Sequence, residues 1–456
     1  MPRARRCYTP GLRFIRRPIT VMPTPHPPPG ASLDRWLGYL ETLHPSAIDL
    51  GLDRVRQVAA RLDLDTPAVR IVVGGTNGKG STCAMLESIL LAAGYRVGLY
   101  TSPHMMVFNE RARVNGEIVD DARLVSQFEA VEAARQGVTL TYFEFSTLAI
   151  LRLFAQSGLD ALVLEVGLGG RLDAVNIVDA DCAIVTSVDI DHTDWLGTTR
   201  EQIGFEKAHI FRAGRPAICS DPSPPQSLLD YAATIGADLW LFGRDFNYSG
   251  DRQQWAFAGR SQRRHAMSYP ALRGANQLLN ASAALAALES LRDRLTVPQQ
   301  AVRLGLLQAS LPGRFQILPG QPTVVLDVAH NPQAGAVLEK NLGNMGFHPY
   351  THAVFGMLAD KDIESVVGHL APRVDHWYCA SLPGPRGVAG EELAARVRAV
   401  LSRRADITEP VTVMGYASVE AAYRAARERS TPDDKIVVFG SFLTVAGVLG
   451  ATGHPA

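Results

Sequence analysis

The stretch IVVGGTNGKGST, residues 71–82, decides the fold of this chain. Ile71, Val72 and Val73 predict a buried strand, and the helical pattern from Ser81 to Ala93 predicts the helix that follows. The glycines between them let backbone N–H groups close around an anion, and a helix N-terminus adds partial positive charge. Lysine supplies a full charge for terminal phosphates, and a hydroxyl helps to hold Mg²⁺. The stretch therefore predicts a phosphate-binding loop of a nucleotide site, made by Gly75, Thr76, Asn77, Gly78, Lys79, Gly80 and Ser81.

The loop departs from the general pattern GxxxxGK[ST] at two positions. Val73 stands where that pattern has Gly, and Gly80 follows the lysine where it has Ser or Thr. The alternative interpretation is a Gly-rich turn that binds no ligand. The position of Lys79 among glycines favours phosphate binding, because a desolvated cation is costly unless an anion uses it.

Short apolar runs alternate with helical patterns on both sides of a proline- and glycine-rich stretch at residues 312–322. Before it the predicted strands are 71–73, 97–100, 161–164 and 183–185; after it they are 324–326, 354–355, 377–378, 411–413 and 436–439. Strands that are apolar throughout are typical of a parallel sheet covered on both faces. Residues 239–267, with aromatic residues among polar ones, predict a small β insertion.

The predicted fold is therefore α/β with two domains. We expect an N-terminal P-loop ATPase-type domain with a mostly parallel sheet over residues 32–315, and a C-terminal Rossmann-like α/β domain over residues 316–456. Residues 1–31 are basic and then proline-rich, and they predict a disordered leader in which Met22 is a second candidate start. A targeting or nucleic-acid-binding arm is the alternative interpretation of that leader.

Polar side chains follow three of the predicted strands at the point where each strand ends. Ser102 follows the strand that ends at residue 100, Glu165 ends its strand, and His192 follows the strand 183–185. Ligands collect at the carboxyl ends of strands in open α/β sheets. Mg²⁺ takes few protein ligands and completes its shell with phosphate oxygens and water. We therefore predict that these three residues bind magnesium, although each alone has an ordinary structural interpretation.

Two further segments carry charged residues near the expected cleft. The pair Glu206-Lys207 has the composition of a solvated ion pair. Asp327 and His330 follow the first strand of the second domain, where they can face a nucleotide. Arg314 lies in the interdomain linker, from which it can reach a transferring phosphate when the domains close.

The overall composition excludes several classes of partner. The chain has 45 basic and 45 acidic residues and no net charge, which argues against a nucleic-acid or membrane-surface partner. Its five cysteines, Cys7, Cys83, Cys182, Cys219 and Cys379, show neither CxxC spacing nor a disulfide framework. That usage predicts a reducing, cytoplasmic environment.

The motifs together resemble the folylpolyglutamate synthase and dihydrofolate synthase family of the Mur ligase superfamily. The resemblance covers roughly residues 32–450 and rests on the order of GTNGKGST, TSPH, LEVGLGGRLDAVN, SVDIDHTDWLG, EKAHIF, LPGRFQ, DVAHNP, GMLADKD and FGSF. It implies nucleotide contacts at Asn280, Arg314 and Asp327 beside the loop, metal ligands at Ser102, Glu165 and His192, and catalytic roles for Lys79, Lys207, Arg314 and His330. Lys207 matches a lysine that is carbamylated in this family. The implied pterin-binding residues are Ile48, Asp49, Leu50, Thr141, Phe143, Leu172, Asp173 and Ala174.

The resemblance implies an ATP- and Mg²⁺-dependent carbon–nitrogen ligase of folate biosynthesis. It would join L-glutamate to dihydropteroate and to the glutamate tail of reduced folates through an acyl phosphate, acting as a cytoplasmic monomer. A member of the family with only one of the two activities, and a Mur-type peptide ligase, are the nearest alternatives. A P-loop ATPase or kinase and a catalytically silent folate-binding protein are more distant ones.

Overall fold

The computed structural model describes residues 26–251, 253–406 and 411–453. The leader predicted over residues 1–31, with Met22 and Cys7, therefore lies mostly outside the described residues. Of its described part, Pro27 is buried and the backbone N–H of Gly30 donates to Glu129 Oε1 at 3.0 Å.

The N-terminal part is built on a sheet of eight strands: β1 (Val69–Gly74), β2 (Val97–Tyr100), β3 (Ala112–Val114), β4 (Glu117–Ile118), β5 (Ala161–Glu165), β6 (Cys182–Val185), β7 (Pro216–Cys219) and β8 (Asp238–Leu241). Their order is β4-β3-β2-β5-β1-β6-β7-β8. Six neighbouring strands are parallel to one another: β2, β5, β1, β6, β7 and β8. Strands β3 and β4 extend the sheet beyond β2 with antiparallel pairing. Burial of β1, β5 and β6 on both faces explains their continuous apolar sequences.

Helices cover both faces of this sheet: α1 (Leu33–Leu40), α2 (Asp53–Ala59), α3 (Lys79–Ala92), α4 (Asp121–Arg135), α5 (Tyr142–Ala155), α6 (Thr193–Leu196), α7 (Arg200–Ala208), α8 (Gln226–Ile235), α9 (Gln277–Ser290) and α10 (Gln299–Gln308). One face packs against α1, α2, α4 and α5 around residues such as Trp36 and Phe145. The other face packs against α3, α9 and α10 around Ile89 and Val302. Each face therefore has its own apolar core.

The predicted β insertion differs from the structure at its start. Three antiparallel strands, β9 (Asn247–Gly250), β10 (Trp255–Ala258) and β11 (Arg263–Met267), form the small sheet. Residues 238–241 instead complete the main sheet as β8, because they pair in parallel with β7. Trp255 and Phe257 pack into the core beneath α9, which explains the aromatic residues of this segment.

The C-terminal part has a second sheet of β12 (Gln316–Leu318), β13 (Thr323–Leu326), β14 (Thr351–Phe355), β15 (His376–Ala380), β16 (Thr412–Tyr416) and β17 (Lys435–Phe439). Its order is β12-β13-β17-β14-β15-β16, parallel except for β12. Helices α11 (Pro332–Gly343), α12 (Ile363–Leu370), α13 (Gly390–Leu401), α14 (Val419–Arg429) and α15 (Phe442–Thr452) surround it. This arrangement confirms the predicted α/β class with a second Rossmann-like sheet.

Several local predictions need adjustment. The helix after the phosphate loop begins at Lys79 rather than Ser81, with Gly78 as its N-cap residue. The helical spacing of Leu33, Trp36, Leu37, Leu40 and Leu43 predicts a first helix with Ser32 as its N-cap. In the structure α1 ends at Leu40, and Ser32 makes no side-chain capping hydrogen bond. Cys182 and Cys219 are buried free thiols, in agreement with their apolar surroundings. Within the part of the chain that the structure describes, no helix has the length and apolarity needed to span a membrane.

Candidate active site

The phosphate loop depends on two glycines whose backbone conformation other residues rarely adopt. Gly75 has φ of 145° and Gly78 has φ of 92°. A Cβ atom at Gly75 would overlap the hydroxyl of Thr186, and one at Gly78 would lie 2.6 Å from Asn280 Oδ1. The glycines therefore let the loop turn tightly against β6 and α9. Asn280, predicted as a nucleotide contact, lies directly beside the loop.

The segment after β6 holds the loop in place through several hydrogen bonds. The Thr76 N–H donates to the Ser187 carbonyl at 2.7 Å, and the Asn77 N–H donates to Ser187 Oγ at 3.0 Å. The Thr186 hydroxyl donates to the Asn77 carbonyl at 2.7 Å. Lys79 Nζ bends back to the carbonyls of Gly75 and Thr76, at 3.1 and 3.3 Å. These hydrogen bonds fix the conformation of the loop, and a fixed loop lowers the entropy cost of binding a ligand.

The predicted metal ligands lie at neighbouring strand ends beside the loop. Glu165 ends β5 and is buried, and its Oε2 accepts a hydrogen bond from the Ser102 N–H at 3.1 Å. Burial raises the pKa of Glu165, and the charge of Lys79 opposes that change. His192, in the left-handed conformation, is the N-cap residue of α6. The described residues contain no cluster of three or more His, Cys, Asp or Glu that could hold a metal by itself. This donor set fits a cation such as Mg²⁺ that relies on phosphate and water for most of its ligands.

Lys207 is not the solvated partner of Glu206 that the composition indicates. Glu206 instead pairs with Arg171 Nη2 at 2.9 Å, and Lys207 is only 4% exposed. Burial, reinforced by the charge of Lys79, lowers the pKa of Lys207 to about 7. The side chain is buried because α7 packs tightly on Gly170, where a Cβ atom would lie 3.2 Å from Lys207 Cα.

Arg314 reaches the phosphate loop from the linker between α10 and β12. Its Nη2 lies 4.0 Å from the position that a Cβ atom would take at Gly80. The guanidinium lies over the ring of Phe442, with Cζ 5.0 Å from the centroid. Burial lowers its pKa, and the charges of Asp327 and Glu165 partly offset this effect. Because the cation is desolvated and lacks a close ion pair among the described residues, an anion in the cleft would stabilise it.

Asp327 supports this arrangement by holding the backbone. Its carboxylate accepts hydrogen bonds from the N–H groups of Phe315 and Ala329, at 2.9 and 2.8 Å. These contacts join the linker that carries Arg314 to the loop that carries His330. His330 Nδ1 lies 2.8 Å from the Val328 carbonyl oxygen, and His330 Nε2 lies 3.7 Å from Asp191 Oδ2.

A single cavity between the two domains brings these residues together. Its lining includes the predicted phosphate loop, the metal ligands, and the residues predicted for catalysis and nucleotide contact: Gly75, Thr76, Asn77, Gly78, Lys79, Gly80, Ser81, Ser102, Glu165, His192, Lys207, Asn280, Arg314, Asp327 and His330. The roles assigned to these residues remain predictions, but the structure places their side chains in one cleft.

The residues predicted to bind a pterin lie outside the lining of this cavity and form a region next to it. Phe143 packs against Gly167, which does line the cavity, and stacks on Tyr100 with ring centroids 6.1 Å apart. Asp173 is buried and accepts from the Leu168 N–H at 2.8 Å. Burial raises the pKa of Asp173 to about 6.

A chain of polar contacts links two of the other predicted pterin residues, Asp49 and Thr141. Arg54 donates to Asp49 Oδ2 at 2.7 Å and to Glu144 Oε1 at 3.1 Å. Glu144 in turn forms a capping box with Thr141 at the start of α5. Ile48, Leu50 and Leu172 are half-buried and Ala174 is buried. The loop around residue 49 and the N-terminus of α5 are therefore neighbours, although 90 residues separate Arg54 from Glu144.

Sequence reasoning missed a group of residues that connects the domains. Asp191 pairs with Lys361 Nζ at 2.7 Å and accepts from Asn331 Nδ2 at 3.0 Å. Lys361 belongs to the GMLADKD motif and Asn331 to DVAHNP. The motifs indicated that these segments matter, but nothing in the sequence specified their partner.

Comparison with known proteins agrees with this architecture. Residues 73–288 match the Mur ligase middle domain, and residues 313–442 match the Mur ligase, glutamate ligase domain. The dihydrofolate synthase/folylpolyglutamate synthase of Escherichia coli is 46% identical over 424 residues, covering 93% of this chain and 96% of that protein.

Solved structures extend the comparison to three dimensions. The E. coli FolC structure in complex with DHPP and ADP superimposes with a TM-score of 0.87 at 45% identity, and the match covers 93% of this chain and 98% of that one. A bifunctional folylpolyglutamate synthase/dihydrofolate synthase with Mn, AMPPNP and L-glutamate bound gives a TM-score of 0.85 at 45% identity, covering 94% and 100%. Since the sequence identity extends along nearly the whole length and the fold agrees, the chain belongs to the dihydrofolate synthase/folylpolyglutamate synthase family of the Mur ligase superfamily.

Proposed function

We propose that this protein is an ATP-dependent ligase that joins L-glutamate to dihydropteroate, forming dihydrofolate, and to the glutamate tail of reduced folates. The observation that carries this proposal is the interdomain cavity, in which the predicted phosphate loop faces Arg314 of the linker and His330 of the second domain. Family membership supports it, as do the relatives solved with ADP and DHPP or with AMPPNP and L-glutamate. We further propose that the enzyme acts as a monomer in the cytoplasm.

The reaction needs activation because a carboxylate is a poor electrophile at neutral pH. In the first step, an oxygen of the acceptor's carboxylate attacks the γ-phosphorus of ATP, and the bond to the β-phosphate oxygen breaks. The products are an acyl phosphate and ADP. Lys79 from the loop and Arg314 from the interdomain linker stabilise the negative charge that spreads over the transferring group.

In the second step, the neutral amine of L-glutamate attacks the acyl carbon. A tetrahedral intermediate forms, phosphate leaves, and the nitrogen loses a proton to give the amide. An acyl phosphate is hydrolysed if water reaches it. The cavity lies between two domains, so closure of the domains protects the intermediate.

A divalent cation is the proposed partner of the phosphates. Ser102, Glu165 and His192 would hold it, because they offer a hydroxyl, a buried carboxylate and an imidazole beside the loop. When bound, Mg²⁺ supplies positive charge that neutralises the phosphate oxygens. The relative solved with Mn and AMPPNP supports a divalent metal in this family.

We propose that Lys207 carries a carbamate in the active enzyme. The amine is buried with a pKa near 7, so a large fraction of it is neutral and nucleophilic at physiological pH. The nitrogen attacks CO₂ and loses a proton, which converts a cation into an anion. That change suits a position where burial and the charge of Lys79 both disfavour a second cation. Addition of ¹³C-labelled bicarbonate should give a carbamate signal in carbon NMR that is absent from Lys207→Met.

The acceptor is proposed to bind in the region of Phe143 and Asp173, beside the cavity. The ring of Phe143 offers an aromatic surface next to Gly167, and Asp173 offers a buried carboxyl group for the polar edge of a pterin. Ile48, Asp49, Leu50, Thr141, Leu172 and Ala174 complete this proposed site.

The test is direct. Purified protein is incubated with ATP, Mg²⁺, labelled L-glutamate and either dihydropteroate or a reduced folate, and the products are identified by mass. Glutamate addition to both acceptors is the expected result. Addition to only one would restrict the enzyme to that half of the proposal. No addition to either, by folded protein that binds ATP, would refute the proposed function.

A further inference from the structure

The chain uses lysine very sparingly. Its 45 basic residues include five lysines, at positions 79, 207, 340, 361 and 435. Lys79 and Lys207 lie in the cavity and have proposed roles. Lys361 lies between β14 and α12 in the second domain and takes no part in the proposed steps.

Lys361 forms a buried ion pair across the domain boundary. Its Nζ lies 2.7 Å from Asp191 Oδ1, and the two side chains are only 8% and 9% exposed. The other carboxylate oxygen accepts from Asn331 at 3.0 Å and faces His330 Nε2 at 3.7 Å. Asp191 of the first domain therefore contacts three side chains of the second.

The contacts continue from Asn331 to the phosphate loop. Asn331 and Asn77 form a reciprocal amide pair, each nitrogen 3.2 Å from the other's oxygen. Asn77 also donates to Gln333. Asn331 caps α11 by accepting from the Ala334 N–H at 2.9 Å. A continuous polar network thus runs from Lys361 through Asp191 and Asn331 to the proposed phosphate loop.

We propose that Lys361 is a positioning residue whose ion pair with Asp191 latches the second domain onto the phosphate loop when the cleft is closed. The ammonium group binds one carboxylate oxygen of Asp191 and leaves the other for Asn331. When the cleft is open, the ammonium group of Lys361 and the carboxylate of Asp191 are each hydrated. When it is closed, both groups lose water but pair with each other. Such a pair forms reversibly, because its desolvation cost largely offsets its attraction.

This inference rests on the proposed ligase function for its kinetic consequence. A closed cleft aligns Arg314 with the loop and excludes water from the acyl phosphate. Loss of the latch should therefore reduce turnover. Nucleotide affinity should fall far less than turnover, because Gly75–Ser81, which form the proposed phosphate site, belong to the first domain and are held by Thr186 and Ser187. Opening withdraws only the predicted contacts of Arg314 and Asp327.

The test compares Lys361→Gln with Lys340→Gln, a control on an exposed face of α11 in the same domain. Small-angle scattering in the presence of ADP and Mg²⁺ reports domain closure, calorimetry reports ADP affinity, and steady-state kinetics separate kcat from KM. Lys361→Gln should enlarge the radius of gyration and lower kcat about 100-fold, the scale expected for misaligned reacting groups. ADP affinity should fall far less than kcat. Lys361→Arg, which keeps the charge, should restore most of the closed form.

The possible outcomes separate the latch from other roles. Wild-type scattering and turnover in Lys361→Gln would overturn the proposal. A loss of turnover with wild-type scattering would also overturn it, because Lys361 would then act on substrate rather than on closure. If Lys361→Gln opens the cleft but the wild-type enzyme adds no glutamate, the latch stands and the proposed function fails. Should the glutamine variant not fold, Lys361→Arg decides: a mostly closed cleft with near-wild-type turnover supports the latch, and an opened cleft with wild-type turnover overturns it, because closure would then not matter for the reaction.

Discussion

Replacement of Lys207 by methionine should stabilise the unmodified protein while abolishing its turnover. Methionine has a similar length but carries no charge and cannot form a carbamate. Burial and the charge of Lys79 lower the pKa of Lys207 from 10.5 to about 7. At about 1.4 kcal/mol per pKa unit, the charged form costs about 5 kcal/mol in the folded protein. Below pH 7, where the lysine is protonated in both states, the methionine variant should regain a substantial part of that energy.

The pH dependence of the difference follows from proton linkage. Between about pH 7 and 10.5 the unfolded chain binds a proton at Lys207 that the folded protein does not bind. The contribution of Lys207 to the free energy of unfolding therefore rises with pH across that window. The methionine variant lacks this slope, so its advantage over the wild type should shrink as the pH increases.

Denaturant unfolding in CO₂-free buffer between pH 6 and pH 10, followed by fluorescence, measures both effects. Lys340→Met is the matched control, because Lys340 is exposed on α11, and it should change the free energy of unfolding by less than about 0.5 kcal/mol. A Lys207→Met variant that is less stable than the wild type at pH 6 would refute the argument from burial. Full turnover in that variant would refute the proposed carbamate.

Three further predictions concern the loop and its surroundings. Lys79→Ala should lower turnover by about 100-fold or more, because the positive charge that stabilises the transferring phosphate is lost. The circular dichroism spectrum should stay unchanged, and near-normal turnover would refute the assignment of the phosphate loop. Gly78→Ala should weaken ADP binding measured by calorimetry, because φ at Gly78 is 92° and a Cβ atom there would meet Asn280. The control Gly94→Ala, where φ is 89° and the space is open, should lower stability without changing ADP binding. The pKa of Asp173 is raised from 3.8 to about 6, so the stability that its protonated form contributes is complete below pH 3.8 and lost as the pH rises through 6. In unfolding measurements, Asp173→Asn should remove this pH-dependent change of about 3 kcal/mol in the free energy of unfolding. An unaltered pH profile in the variant would contradict the raised pKa of Asp173.

Local sequence was sufficient for the phosphate loop and for the strands that precede the candidate ligands. The loop is a contiguous motif, and the apolar runs around β1, β5 and β6 reflect burial on both faces of the sheet. The edge strand β12 escaped prediction because it is three residues long and antiparallel to its neighbour. Residues 238–241 were assigned to the insertion because their strand pairing, not their composition, places them in the main sheet.

What the sequence determined by itself is the α/β class, the phosphate loop, and the set of motifs whose order identifies the family. These features are encoded within short stretches, where periodicity and glycine placement act locally. Only the tertiary structure decided that Lys207 is buried and that Asp191 meets Lys361, a residue 170 positions away. Both depend on how helices and domains pack. Packing controls solvent exposure, and solvent exposure sets the charge state of a lysine and the strength of an ion pair.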